Sequence, residues 1–379
     1  MKGLRIPGLW AATQAYLNYR DGFIKRGLFG ATVLGLGIPI QHYDVFVIVS
    51  GVTLFIFIAL LALWIGLSRA ARLADGAFVA LFAASFCLTF FTHMIGYLEI
   101  PSGALALIAL IASASRFRLT ALLVTGILGV LIHENYLLTF LPLTLLPTLL
   151  KASTSEKPKR ELASVAAVAG AVFAVVLLEN LAPSVSAARV AKLQDTMSAS
   201  VDFQPRGDVL VVLTRSVSDN LAIMRSTMGN PLWWIAQLNA LLVFMPTTVL
   251  FMLASFSIID ARGQVPHARL LKAAVVLTTL CPLSLQVLGW DIYRWYALAG
   301  LSSFIAMTIV CSRYSDPAEP PLSFGKPVRN LTIALIAINM ATGTGFFDSY
   351  RVDTFPFVEH WRGLVQWFQT GRHWAPPPH

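Results

Sequence analysis

DVFVIVSGVTLFIFIALLALWIGL, residues 44–67, decides how the rest of the chain is read. After Asp44 no charged side chain appears until Arg69, and about 20 consecutive apolar residues are what a helix needs to cross the hydrocarbon core of a bilayer. The same reading, carried outward to every apolar run bounded by charge or turn residues, predicts ten spans: 44–67, 76–92, 103–115, 119–132, 136–150, 161–182, 231–258, 273–289, 295–312 and 329–345. The runs between 103 and 150 are short for a full crossing, and a break is expected near His133.

Composition points the same way. Of 379 residues, 56% are hydrophobic and 12% charged, about half the charge of an ordinary soluble domain, which excludes a soluble enzyme. The expected architecture is an all-α transmembrane bundle of 9–11 spans. Its segments are an N-terminal outer or interfacial piece (1–43), a first bundle (44–182), an outer loop with amphipathic pieces (183–230), a second bundle (231–345) and an aromatic tail (346–379). No cleavable signal peptide is evident in the first 19 residues, where Thr13, Gln14 and Asn18 interrupt a weak apolar run. Cys87, Cys281 and Cys311 lie in apolar stretches and read as core residues.

The net charge of +9, from 28 Lys and Arg against 19 Asp and Glu, would raise the question of nucleic acid on a soluble protein. Here its distribution gives a different answer. Loops 68–75, 116–118, 151–160, 261–272 and 313–329 carry fourteen of the basic residues, whereas 93–102, 133–135 and 290–294 carry only Arg294. The basic loops are expected in the cytoplasm, and no nucleic-acid partner is expected. Thirteen of the nineteen acids then fall on the outer face, so polar chemistry is expected to face outward.

Four constellations on that face carry candidate chemistry. In Tyr19-Arg20-Asp21-Gly22-Phe23-Ile24-Lys25-Arg26-Gly27, three cations surround Asp21; they could orient a phosphate and keep the carboxylate ionised, or meet lipid headgroups. Next, His93 and Glu99 flank Met94–Leu98 beside an apolar span, where partial desolvation would suit Glu99 to act as a base or metal ligand; a plain loop carboxylate is the other reading. His133-Glu134-Asn135 interrupts LGVLIHENYLLTFLPL. Such polar residues within membrane sequence normally face a cavity or a partner, unless they simply turn the chain, and Leu137 excludes a zinc-protease HExxH motif. In Gly289-Trp290-Asp291-Ile292-Tyr293-Arg294-Trp295, Asp291 and Arg294 could pair at i,i+3, or Arg294 could hold a phosphate beside aromatic rings suited to a sugar. Walker A, dinucleotide-binding and GxSxG sequences are all absent.

RDGFIKRGLFG at 20–30, GYLEIP at 96–101, LIHEN at 131–135 and GWDIYRW at 289–295 resemble motifs of bacterial multi-spanning proteins similar to the GT-C class of integral-membrane glycosyltransferases and polysaccharide polymerases. The resemblance implies a multi-pass protein of the bacterial inner membrane that uses a polyprenyl-phosphate-linked saccharide as donor among its membrane-lipid partners. A carboxylate base would activate an acceptor hydroxyl while the lipid phosphate departs, and cations or a divalent metal would hold that phosphate. By residue type the implied catalytic set is Asp21, Glu99, His133 and Glu134, and the substrate- and phosphate-binding set is Arg20, Lys25, Arg26, His93, Asp291 and Arg294. One departure stands out: the class has a full span before its first acidic loop, and residues 8–19 are too short and polar for one. A transporter or lipid flippase and a membrane acyltransferase using His93 or His133 are the competing classes.

Overall fold

The computed structural model describes residues 4–20, 22–181, 185–261, 265–289, 291–314, 324–341, 365, 366, 368 and 369, and every element among them is helical. Two short helices, α1 (Leu9–Tyr16) and α2 (Leu28–Gly35), precede α3 (Tyr43–Ser68). The span expected at 76–92 is broken: a 3-10 segment leads into α4 (Ala77–Ala84), and Ser85, in extended backbone, accepts the Leu88 N–H through its hydroxyl to start α5 (Phe86–His93). Helices α6 (Glu99–Ala112), α7 (Arg118–Ile132), α8 (Tyr136–Thr139) and α9 (Leu141–Ala152) are short, as their apolar runs predict, and the break at 133–135 separates α7 from α8. Then come α10 (Pro158–Leu181), α11 (Ala187–Ser200), α12 (Gly207–Val211), α13 (Val217–Met228), α14 (Pro231–Ala261), α15 (Ala268–Leu280), α16 (Ile292–Tyr314) and α17 (Lys326–Ala341).

Six stretches among the described residues are long and apolar enough to cross a membrane: Tyr43–Ser68, Ala70–His93, Pro158–Glu179, Pro231–Ala261, Ala268–Val287 and Ile292–Tyr314. This is a membrane protein. Its axis is α16, buried along nearly its whole length, which a membrane helix reaches only when other helices replace lipid on all sides. Small residues make this close approach feasible: Ala297, Ala299, Gly300, Ser302, Ser303 and Ala306 are all buried. The Ser303 hydroxyl donates to the Thr248 carbonyl of α14 at 2.8 Å, and Trp64 of α3 donates its ring N–H to Thr308 Oγ1 at 2.7 Å. Phe304 stacks on Phe82 with 3.9 Å between ring centroids and meets Phe251 edge-on at 5.3 Å.

Several of the loops gather into two groups. At one end Glu161 accepts from Arg118 at 2.7 Å and pairs with Lys151 at 3.4 Å, and Ser153 meets the Tyr314 hydroxyl at 3.3 Å; these are the basic loops 116–118, 151–160 and 313–329. At the other end loops 93–102, 133–135 and 291–294 meet one another and the N-terminal segment. Here α11 and α12 dock on residues 16–40: Val190, Met197, Leu210 and Leu213 share a buried cluster with Tyr16, Leu17, Ile24, Val33 and Ile40. Within the apolar patch at 209–213, Val209, Leu210 and Leu213 are buried while Val211 is exposed. Asp202 fixes this docking by accepting the Tyr43 N–H at 2.8 Å and pairing with His42 at 3.1 Å. Trp290 and most of the aromatic tail lie outside the described residues.

Candidate functional site

The site begins with the break in the hydrophobic run at 131–140. Helix α7 stops at Ile132, His133 takes an extended conformation, and Tyr136 restarts the chain as α8. His133 is buried while Glu134 beside it is partly exposed, so the turn carries the histidine inward. Glu134 is held by Arg26, whose Nε lies 3.1 and 3.0 Å from the two carboxylate oxygens and whose Nη2 also donates to Oε1. The bidentate match of guanidinium and carboxylate fixes both groups. Burial alone would raise the Glu134 carboxyl; Arg26, and after it His133, outweigh that and hold it well below the usual carboxylate range. Arg26 adopts φ 62°, in the left-handed region that a side chain rarely occupies.

His133 connects two carboxylates. Its Nδ1 is 3.4 Å from Glu134 Oε2, and its Nε2 is 3.6 Å from Glu99 Oε1. Asn135 flanks the ring on both sides, its backbone N–H donating to His133 Nδ1 at 3.3 Å and its side-chain nitrogen lying 3.3 Å from Nε2. Glu99, at the first residue of α6, is 2% exposed. Its Oε1 also receives Arg294 Nη1 at 3.4 Å, while its Oε2 has no hydrogen-bond partner among the described residues. A carboxylate anchored through one oxygen and unengaged through the other is suitably arranged to accept a proton from a ligand.

Arg294 closes the row. Its Nη2 pairs with Asp291 at 3.0 Å, the i,i+3 contact that the spacing predicts. Its guanidinium carbon lies 5.0, 5.6 and 6.0 Å from the ring centroids of Tyr97, Trp295 and Trp10, and Trp10 stacks on Tyr97 at 5.2 Å. Gly96 makes the loop possible: its φ is +88°, and a Cβ there would sit 2.9 Å from both Phe46 Cζ and Pro7 Cβ. Only glycine combines that backbone with that contact.

The remaining candidates divide. Lys25 is partly exposed and acts electrostatically on Glu179, a buried acid near the end of α10. His93 is buried, its ring 6.0 Å from Phe90, and its carbonyl accepts Arg5 Nε at 3.0 Å. Arg20 is exposed, and Asp21 lies outside the described residues. Among the described residues no three His, Cys, Asp or Glu side chains are grouped as metal ligands. Gly30 lets the chain approach itself: a Cβ there would collide with the carbonyls of Leu17 and Ala15.

No family, no characterised protein and no solved structure matches this chain. Its chemistry is therefore argued from the site alone.

Sequence reasoning did not single out Arg5, Trp10, Tyr97 or Glu179. Arg5 marks the polar end of a cavity of about 830 Å³ bounded by residues 4–7, α3, α4, α5 and α17. Apart from Arg5, Thr89 and Thr92 its lining is apolar. Phe55 and Met340 at its edge are 73% and 63% exposed, so the cavity opens sideways, toward lipid. Arg5 donates to the His93 carbonyl at 3.0 Å, which ties the cavity's polar end to the 93–98 loop that leads into Glu99.

Proposed function

We propose that this chain is a GT-C-like membrane glycosyltransferase. It transfers or polymerises sugar from a polyprenyl-phosphate-linked donor on the extracytoplasmic face of the bacterial inner membrane, and its helices make ten crossings. The observation that carries the reading is the juxtaposition of a laterally open apolar cavity, cationic at one end through Arg5, with the row Arg294–Glu99–His133–Glu134–Arg26. An aliphatic chain in the cavity places its phosphate near Arg5 and Arg294. There the guanidinium groups stabilise the charge that grows on the leaving phosphate, and the stacked Trp10 and Tyr97 hold Arg294 in place.

The carboxylate of Glu99, steadied by Arg294 and His133, takes the proton of the acceptor hydroxyl as its oxygen bonds to the anomeric carbon and the carbon–phosphate-oxygen bond breaks. Asp21 is the other acid with the chemistry for this role. Arg26, with Lys25 and Arg20 on the same segment, balances the acids. The transporter reading draws less support, because these charges gather at one end of the bundle rather than at its midplane.

The test is transfer from polyprenyl-phosphate-linked glucose, galactose, mannose or N-acetylglucosamine by the full chain in proteoliposomes. Turnover with at least one donor is expected, with Glu99→Gln lowering kcat by about 10²–10⁴-fold. No turnover with any donor removes the transferase reading; full activity in both Glu99→Gln and Asp21→Asn removes the proposed base.

A further inference from the structure

The dimensions of the cavity beside Arg5 limit how much of a lipid chain it holds. Tyr43, the first residue of α3, donates its hydroxyl to the Pro7 carbonyl, which pins residues 4–7, and Arg5 with them, at the N-terminal end of that helix. From there the lining runs down α3 from Val47 to Ile58, an advance of 11 residues, which at a rise of about 1.5 Å covers about 16 Å. That is close to one leaflet of a hydrocarbon core about 30 Å thick. Another wall is built by α5 and α4. Helix α5 ends at His93, whose carbonyl accepts from Arg5, so α4 forms the far part of this wall. Its Ala80, Ala83 and Ala84 leave the space that larger side chains would fill. Ser85, in extended backbone, separates α4 from α5, and the wall changes direction there.

A methylene group takes up about as much room as a water molecule, about 30 Å³, so a cavity of about 830 Å³ holds about 25–30 carbons, or five to six isoprene units. The remainder of a longer carrier leaves through the lateral opening, at whose edge Phe55 and Met340 are exposed. Carbons outside meet lipid whether or not the carrier is bound, so they add nothing to its affinity. Carbons inside gain dispersion contacts with walls that otherwise lack partners. A kinked, methyl-branched chain follows the change of direction at Ser85 better than a straight saturated one.

We propose that this cavity gauges the carrier's chain: it reads the five or six isoprene units nearest the phosphate, Ala80 and Ala83 set the limit, and the rest of the chain is not recognised. The inference rests on the transferase reading, which puts a polyprenyl phosphate in the cavity, and adds which part of that lipid is recognised.

The test is photolabelling of the full chain in phosphatidylcholine proteoliposomes by a diazirine-tagged heptaprenyl phosphate. Geranyl, farnesyl, heptaprenyl and undecaprenyl phosphates and dioleoyl phosphatidic acid are compared as competitors at equal mole fraction. Heptaprenyl and undecaprenyl phosphates should compete within about 2-fold of each other, with farnesyl phosphate several-fold weaker and geranyl phosphate about 10-fold or more weaker, as contacts inside the cavity are lost. Phosphatidic acid should compete poorly. Ala80→Trp, at an exposed position in the lining, should bring the two long carriers down to the farnesyl level and leave geranyl phosphate unchanged. Ala83→Phe, also exposed, carries the test if Ala80→Trp fails to fold. No specific labelling, equal competition by all four prenyl phosphates, a large advantage of undecaprenyl over heptaprenyl phosphate, phosphatidic acid competing as well as heptaprenyl phosphate, or an unchanged length profile in both variants overturns the inference. The expected length profile without transfer from any lipid-linked donor would instead count against the transferase reading and leave the lipid site standing.

Discussion

At the scale of single residues, the site works by commitment of charge. Arg294 has two carboxylates and three rings around it, and the planar guanidinium is what lets it serve all of them. Arg294→Lys keeps the charge but loses the fork and the stacking; donor KM in the transfer assay is expected to rise about 10-fold, with Arg294→Ala worse still. The Arg26–Glu134 pair makes a pH prediction. Because the folded-state carboxyl is held below its ordinary value, the pair's contribution to stability is fully present above the unfolded value of about 4.3 and is lost as pH falls through the lower folded value. Thermal unfolding in detergent should therefore shift to lower temperature as pH drops below about 4, and Glu134→Gln should flatten that part of the profile while lowering stability at neutral pH. Much of this row was legible in the sequence, because His133, Glu134, Glu99 and Arg294 are costly polar residues in otherwise apolar surroundings. Trp10 and Glu179 were not: the first sits in a weak apolar run without helical periodicity, and the second reads as the end of a hydrophobic span. Only the folded chain shows that each faces the charged row.

At the scale of elements, the lengths of the helices follow from where the chain must present polar groups. Helices α6, α7 and α9 are short because the loops at 93–98 and 133–135 reach into the bundle with Glu99 and His133. The apolar runs between 103 and 150 showed that shortening in advance; the break at Ser85 within 70–93 rests on one hydroxyl cap, which composition does not single out. The long helices hold the frame. Phe304 on α16, fully buried between Phe82 and Phe251, is the centre of that frame, and Phe304→Ala should cost about 3–5 kcal/mol, read as a fall in thermal stability. Replacing Ala84 in the cavity wall by Trp should obstruct the cavity and raise donor KM while leaving the melting temperature nearly unchanged, since the side chain fills existing space.

At the scale of the molecule, the two ends differ in charge and in what is built on them. One is tied by the Arg118–Glu161–Lys151 contacts and the other by the ion-pair row and the docked helices α11 and α12. The orientation is tested by an impermeant maleimide applied to intact cells with the outer membrane permeabilised. Ser200→Cys, exposed on α11, should label, and Lys157→Cys, exposed in a basic loop, should label only after the inner membrane is opened. Cys87 and Cys311 are buried, and the partly exposed Cys281 is replaced by Ser in both variants to keep the background low. Reversed labelling would invert the assignment of faces. Charge sorting assigns the loops to faces without any structure, because membrane insertion reads the same loops; it does not reveal that residues 185–213 pack on the N-terminal segment, since that contact depends on shape rather than charge.

That covering has a consequence for how the protein is made. The Arg206 N–H donates to the Thr13 hydroxyl oxygen across 193 residues of chain, and Arg294 reaches Glu99 across 195. At a synthesis rate of about 5–20 residues per second, the segment around Thr13 waits about 10–40 s for the piece that covers it. The ion-pair row closes later still, when residue 294 is inserted. A nascent chain stalled before that point holds Glu99 without the Arg294 guanidinium that meets it, so the row stays incomplete until residue 294 is made.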